Sequence, residues 1–434
     1  MQAKVGANMQ DRSIVVVGGG FAGTTLVREL ERCLPAGWQL VLISEESYTT
    51  FNPMLPEVVG AAVFPEHVIA PLRAMLTRTR FVMGRLTKVD RARKQLSCTT
   101  LTGELQLPYE HLVLAFGMRA HLDILPGMAE HGLPLKLVGD AMHIRNKVLQ
   151  RMASIELCPE GSPARLEHGH IVVVGGGFSG VEVAGALADF MHDARRYYPG
   201  IRDGELGITL LHDGDRLLPE LPAPLGQAAA RSLLKRGVAV RLGAKAVQVS
   251  DRAVVLADGR CLAARTVICT VGTRANPVVA QLALPLMRGR IQTLPDCAVD
   301  AARDLWALGD CAAVPIADQG GTSPPTAQFA VAQAQQLAAN LMAHLQGRAT
   351  RPFAYRSKGM MATTGHHKGV AEVFGLHLSG LPAWLLWRAY YLSRMPTFGR
   401  KLRIWVEWTW SLFFPADITH LRFTRTHEVD STQR

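Results

Sequence analysis

A short apolar strand running straight into a glycine-rich turn and then a helix occurs twice in this chain, and no other feature narrows its fold as much. Residues 13–17, Ser-Ile-Val-Val-Val, form the β-branched run that a parallel strand covered on both faces requires. They lead into Gly18-Gly19-Gly20-Phe21-Ala22-Gly23, which fits G-x-G-x-x-G, and residues 24–32 continue in a helix-compatible pattern. Each glycine has its own task. Gly18 makes the tight turn, Gly20 lets backbone N–H groups approach a pyrophosphate, and Gly23 lets helix and strand pack closely. Residues 39–43, Gln-Leu-Val-Leu-Ile, supply the second strand of a βαβ unit. The arrangement returns at residues 171–174, followed by Gly175-Gly176-Gly177-Phe178-Ser179-Gly180, a helix over 181–190 and a strand over 207–211. There Gly175, Gly177 and Gly180 take the three roles. A tight turn without ligand accounts for one such site more readily than for two in tandem, so two bound dinucleotides are expected.

The chain has 434 residues, and at about 150 residues per domain it divides into two or three packed units with room for a buried cofactor. Its composition, 48% hydrophobic and 19% charged, fits an ordered globular protein. A net charge of +11 suits nucleic acid or an anionic membrane surface, and only the distribution of the charges separates the two. The seven cysteines, at 33, 98, 158, 261, 269, 297 and 311, contain no CxxC pair. They read as small buried hydrophobes rather than a disulfide framework, and no metal site is expected. Residues 1–12 carry no apolar core of a secretory signal. No stretch offers ~18 uninterrupted apolar residues, so any membrane contact is expected from the surface.

Between the two glycine turns, residues 81–114 alternate apolar and polar side chains around the turns at 89–91 and 102–104, which reads as a small antiparallel meander ending in 112–117. A similar stretch, 266–273, closes the second unit and includes Gly272. Residues 304–310 read as a strand that stops at Gly309-Asp310, where a carboxylate can accept a hydrogen bond from a sugar-like hydroxyl.

The end of the chain has a different character. Five of the seven tryptophans, Trp384, Trp387, Trp405, Trp408 and Trp410, fall after residue 380, interleaved with Arg388, Arg394, Arg400, Lys401 and Arg403. Two helical stretches, near 382–393 and 401–414, mix broad aromatic faces with cations, as an interfacial helix requires. The structural alternative is a helical pair buried against the body or in a dimer interface. Nucleic acid is disfavoured, because its aromatics belong beside a groove or sheet platform rather than in dense Trp clusters.

Taken in order, these pieces resemble the two-dinucleotide-binding flavoproteins over residues 13–355. The segments Tyr48-Thr49-Thr50-Phe51-Asn52-Pro53-Met54-Leu55, Pro325-Thr326-Ala327-Gln328, Gly380-Leu381-Pro382-Ala383-Trp384 and Phe414-Pro415-Ala416-Asp417-Ile418 look like those of type II NADH dehydrogenases, the single-subunit NADH:quinone oxidoreductases. The resemblance implies an α/β fold with two Rossmann-like, glutathione-reductase-like domains and a C-terminal amphipathic membrane-associating helical segment. Its implied boundaries are 10–125 and 296–355 for a discontinuous FAD-binding domain, 126–295 for an NAD(P)H-binding domain, and 356–434 for the membrane-associating region. It further implies a hydride passing from NADH to FAD and two electrons passing to a membrane quinone, without proton pumping, at the cytoplasmic face of the inner membrane. A peripheral enzyme, with a homodimer admitted, is the expected form.

Site residues follow from the same resemblance. The first turn, with Gly18, Gly20, Phe21, Ala22 and Gly23, would hold FAD, with Gly309 and Asp310 returning to its ribityl chain. The second, with Gly175, Gly177, Gly180 and Gly272, would hold NADH. Glu182 resembles a glutamate near nicotinamide and flavin; its structural alternative is a first-turn carboxylate favoured by the helix dipole, by about 0.3–1 kcal/mol. Gln328, after Ala327, resembles a quinone-site glutamine. A second glutamine four residues on is replaced by Ala332, and Gln333 would point elsewhere. Lys358 would sit near the flavin edge, or be simply solvated. An acidic residue usually ends the second strand of each unit to accept ribose hydroxyls. Here the first unit offers Ser44 then Glu45, and the second His212 then Asp213. His212 would repel a 2′-phosphate less than a carboxylate does, so NADPH stays open beside NADH.

Two competing readings remain at this level. Sulfide:quinone oxidoreductases share the architecture but use paired redox cysteines, and no cysteine follows Cys311. A non-enzymatic flavin sensor at the membrane is the other.

Overall fold

The strand Arg12–Val17 buries every residue from Ser13 onward, which an open edge would not allow, and it lies between two parallel neighbours. Ile14 pairs with Leu40 on one side and with His111 on the other. In this computed structural model, which describes residues 12–317 and 320–421, that strand sits inside a seven-stranded sheet. Leu305–Ala307, His111–Leu114, Arg12–Val17, Trp38–Ser44 and Arg80–Asp90 are mutually parallel. Gln95–Thr100 and Gly103–Pro108 then continue the sheet antiparallel. The expected meander is therefore shorter than 81–114. Its last piece leaves the hairpins because four consecutive buried residues need cover on both faces. The helices Phe21–Cys33 and Ala327–Leu345 pack together on this sheet, over a core that includes Leu26, Leu30, Phe329 and Leu337.

The second glycine turn belongs to a five-stranded parallel sheet in the order Gly132–Pro134, Thr266–Cys269, His170–Val174, Gly207–Leu211, Val238–Arg241. Its register copies the first: Val174 pairs with Leu211 and Cys269, as Val17 pairs with Ile43 and Leu114. The helix after the turn, Phe178–Ala194, is longer than expected.

The chain forms two compact units, one reaching to Thr50 and including Ile69–Arg119 and Thr273–Lys358, the other Phe51–Val68, Ala120–Gly272 and the residues from Gly359 onward. Each holds one glycine turn. The segment 51–68 is an excursion closed at its ends by a hydrogen bond from the Phe51 N–H to the Val68 carbonyl at 2.7 Å. The residues after Gly359 build an antiparallel sheet, Gly359–Thr363, Gly369–Val373 and Leu376–Gly380, followed by helices Leu381–Arg394 and Phe398–Trp410. They belong to the second unit rather than standing apart as a tail. Residues 1–11 and 422–434, on which part of the N-terminal and C-terminal readings fell, lie outside the described residues. Among the described residues no helix is long and apolar enough to cross a membrane.

Candidate functional site

In the first unit the Gly18 N–H donates to the Ile43 carbonyl at 2.8 Å, which ends the strand and starts the turn. Gly18 sits at φ +120°, and a Cβ there would lie 2.3 Å from the Ala115 carbonyl oxygen. A Cβ on Gly23 would lie 1.9 Å from the Gly18 carbonyl oxygen, while one on Gly20 would meet nothing within 4 Å. The first and third glycines are thus required by the protein itself, and the second leaves open space at the start of the helix Phe21–Cys33. That floor suits an anionic pyrophosphate, because first-turn amides and the helix dipole favour negative charge there. Phe21 and Ala22 begin the helix.

Gly309 comes to the same place. A Cβ on it would lie 3.0 Å from Ala22 Cβ, so the late Gly309-Asp310 turn adjoins the first glycine turn. Leu305–Ala307 is the actual strand, and Gly309–Cys311 is a 3-10 turn, shorter than the expected run over 304–310. Gln333 holds that turn: its Oε1 accepts the Gly309 N–H at 2.7 Å, and its Nε2 donates to Ser323 Oγ at 2.6 Å. Gln333 is fully buried. Helix register alone turns Gln333 away from Gln328, and its proximity to a turn 24 residues earlier is visible only in three dimensions. Glu45 follows the strand Trp38–Ser44 and forms ion pairs with Arg119 and, at 3.4 Å, with Arg85. A ribose hydroxyl there would share a charge-compensated carboxylate.

Ala327 starts the helix Ala327–Leu345 behind the Thr326 cap. Gln328 Oε1 accepts the Tyr355 hydroxyl at 3.2 Å, and its Nε2 donates to Ser357 Oγ at 3.0 Å. Both ends of this amide are oriented by the segment that leads to Lys358, which is exposed.

The second unit repeats the turn. Gly175 lies at φ +119°, a Cβ on Gly180 would be 1.7 Å from the Gly175 carbonyl oxygen, and Gly177 is open. Gly272, at φ +77°, offers its carbonyl to the His121 N–H at 3.2 Å. His212 folds over the turn: its Nδ1 accepts the Gly176 N–H at 3.3 Å. The outward group at this strand end is the carboxylate of Asp213, 70% exposed, with Oδ1 3.5 Å from His212 Nδ1.

Glu182 does not lie in the first turn, where the helix dipole would favour it, but is the fifth residue of the helix Phe178–Ala194. It is buried, and its Oε1 accepts the Thr363 N–H and the Trp387 indole N–H, both at 3.1 Å. Burial pushes its carboxyl up to about 8; the two donated hydrogen bonds oppose that and the Glu57 carboxylate adds to it. Glu57, also buried, accepts the Trp408 indole N–H at 3.2 Å. The tail tryptophans therefore split. Trp384, Trp387 and Trp408 are buried in the second unit, while Trp405 and Trp410 are exposed.

All seven cysteines are free. Burial pushes the Cys311 thiol up to about 12 and raises that of Cys297, the opposite of a thiolate nucleophile. No group of metal-ligating side chains occurs among the described residues.

Substitutions at the glycines separate fold from ligand. Gly20→Val should purify without flavin colour and melt near the midpoint of the flavin-stripped wild type, whereas Gly23→Ala should lower stability by roughly 2 kcal/mol or more through the clash with the Gly18 carbonyl. Absorbance and thermal melts measure both. Glu182 predicts a pH trend of defined sign. The folded chain keeps a proton that the unfolded chain releases, so stability falls as pH rises from 4.5, the ordinary carboxyl value, to about 8. Glu182→Gln should flatten that fall in melts taken across the same range; an unchanged slope would assign it to other groups.

The pyridine nucleotide-disulphide oxidoreductase model matches residues 12–334. The type II NADH:quinone oxidoreductase Ndh of Mycobacterium tuberculosis is 29% identical over 91% of this chain and 87% of its own length. The internal alternative NAD(P)H-ubiquinone oxidoreductase A1 of Solanum tuberosum mitochondria is 27% identical over 95% and 88%. Among solved structures, NDH2 of Plasmodium falciparum in complex with NADH superposes with a TM-score of 0.86 at 17% identity, covering 94% of this chain and all (100%) of that one. The sulfide:quinone oxidoreductase of Aquifex aeolicus gives a TM-score of 0.69 at 15% identity over 95% and 100%. With two open glycine turns of the same geometry and a family model spanning most of its length, the chain belongs to the pyridine nucleotide-disulphide oxidoreductase family.

Proposed function

We propose that this chain is an FAD-dependent NADH:quinone oxidoreductase of the type II class, moving a hydride from NADH to FAD and then two electrons to a membrane quinone. The observation that carries this reading is the pair of open second glycines, Gly20 and Gly177, each at a helix start built to receive a pyrophosphate. FAD held by the first unit supplies a hydride acceptor and two-electron donor. Gly18, Gly20, Phe21, Ala22 and Gly23 bind its pyrophosphate, Glu45 an adenosine hydroxyl, and Gly309 with Asp310 its sugar-like chain. Gly175, Gly177, Gly180 and Gly272 bind NADH. Asp213, outward beside the inward-turned His212, supports NADH over NADPH, because a carboxylate repels a 2′-phosphate. Glu182 holds a proton at neutral pH, and Gln328, its amide oriented by Tyr355 and Ser357, offers a donor to a quinone carbonyl with Lys358 as a nearby cation. The seven thiols are unpaired, and the buried ones at Cys297 and Cys311 hold their protons, which favours no sulfide chemistry.

The C-terminal region meets the bilayer surface in this reading. Phe398, Leu402, Trp405, Val406 and Trp410 present an exposed apolar face, continued by Phe413 and Phe414, with Arg403 exposed among them. Such a helix lies in the interface rather than crossing it, and the reading places the protein peripherally on the cytoplasmic face of the inner membrane.

Rapid bleaching of the flavin by NADH, followed by reoxidation with a soluble quinone, is the expected behaviour; slow bleaching that quinone does not influence would leave a sensor instead. In the same assay Gln328→Ala should raise the quinone KM several-fold more than the NADH KM. Because Trp387 and Trp408 cap buried carboxylates, truncating the tail would damage the body, so membrane contact is better tested on exposed residues. Trp405→Ser with Trp410→Ser should cut co-sedimentation with anionic vesicles and leave flavin content unchanged; undiminished binding would remove this helix from the membrane reading.

A further inference from the structure

Two buried carboxylates of the second unit, Glu182 and Glu57, are each capped by an indole from the C-terminal helices. We propose that Trp387 is a positioning residue for Glu182: its indole N–H, delivered by the helix Leu381–Arg394, fixes Oε1 of the carboxyl, directs the acid proton to Oε2 and sets its affinity. The proposal rests on the reading of Glu182 as a group of the NADH:quinone reaction.

The geometry is one-sided. Thr363 N–H and Trp387 Nε1–H both point at Oε1, at 3.1 Å each. An oxygen that accepts two N–H donors plays the carbonyl in the neutral carboxyl, which places the transferable proton on Oε2. Of these donors, the Thr363 amide is backbone and independent of side chain, whereas the indole is a residue the chain could have lacked. Trp387 is itself held rigidly. It is 1% exposed, stands edge-on to Tyr391 at 4.7 Å between ring centroids, and lies 6.1 Å from Trp408.

The next residue, Arg388, clamps the neighbouring rings. Its guanidinium lies 3.8 Å from the Trp384 ring centroid and 4.7 Å from that of Trp408, in a buried position where Nε and one Nη have no hydrogen-bond partner. Such a cation is held by ring faces instead of carboxylates. The ionisable groups that bear on Glu182 are Glu57, from the helix Leu55–Val59, and Tyr391, from the helix Leu381–Arg394, while Arg388 bears on Glu57. Glu57 opposes ionisation of Glu182, and the second indole, on Trp408, donates to Glu57 rather than to Glu182, so it reaches Glu182 only indirectly.

Infrared difference spectroscopy of the full-length flavoprotein, wild type against Glu182→Gln, reads the Glu182 carboxyl band across a pH titration without turnover. The wild-type midpoint is expected near 8. Trp387→Phe should move it upward by about one pH unit, the scale of one hydrogen bond to a carboxylate, with flavin colour retained. Trp408→Phe should leave it in place or lower it. A Trp387→Phe midpoint equal to wild type, or an equal rise in Trp408→Phe, overturns the proposal. If Trp387→Phe does not fold, indole ¹⁵N–¹H resonances of the wild type decide: one must titrate with the carboxyl and stand still in Glu182→Gln, and no such resonance refutes the assignment. Absence of quinone reduction by wild type would instead count against the oxidoreductase reading, with the infrared result still standing.

Discussion

The contact between the third glycine of each turn and the carbonyl of the first is the constraint on which the rest of this protein is built. With 1.9 Å and 1.7 Å available where a Cβ would stand, only hydrogen fits, and the helix can start directly over the end of the strand. That placement aims a helix N-terminus at the open second glycine, where an anion meets amides and dipole together. The surrounding parallel strands serve this geometry. They bury Val17 and Val174 between two neighbours each, so neither turn can shift without unpairing a sheet.

The first unit adds a second return of the chain to its turn. Gly309 reaches Ala22 because Leu305–Ala307 joins the same sheet and because Gln333 holds the Gly309 amide from a packed helix. A polar side chain this deeply buried costs stability unless both ends of its amide are satisfied, and here both are. The second unit uses buried polarity differently. Two carboxyls face two indoles, each donor supplying a single N–H, and an arginine lies against the ring faces with two of its nitrogens unpartnered. Burial of Glu182 makes its carboxyl favour the proton.

The C-terminal helices consequently have two faces with separate physics. Inward, Trp384, Trp387, Ile404 and Trp408 complete the second unit; outward, Phe398, Leu402, Trp405 and Trp410 stay exposed. The spacing of Ile404 and Trp408, four residues apart, places them on one side of the helix, with Trp405 turned away. For Trp384, Trp387 and Trp408 the alternative of burial against the body holds.

Much of the fold was legible because its signals are local. Six residues fix a glycine turn, four apolar residues in a row fix a doubly covered strand, and both recur with the same spacing, so the two βαβ units and the turn and packing roles of Gly18, Gly23, Gly175 and Gly180 followed from the sequence alone. The density of Trp and Arg after residue 380 was likewise plain in the sequence. Tertiary structure alone decided burial and partnership. Glu182 meets Trp387 across 205 residues and Glu57 meets Trp408 across 351, distances at which periodicity carries no information. The same holds for the inward turn of the His212 ring, for Gln333 at the Gly309 turn, and for the hydrogen bonds that orient Gln328. Proton affinity depends on desolvation and on which donors arrive, and both are properties of the assembled interior rather than of neighbouring positions in the chain.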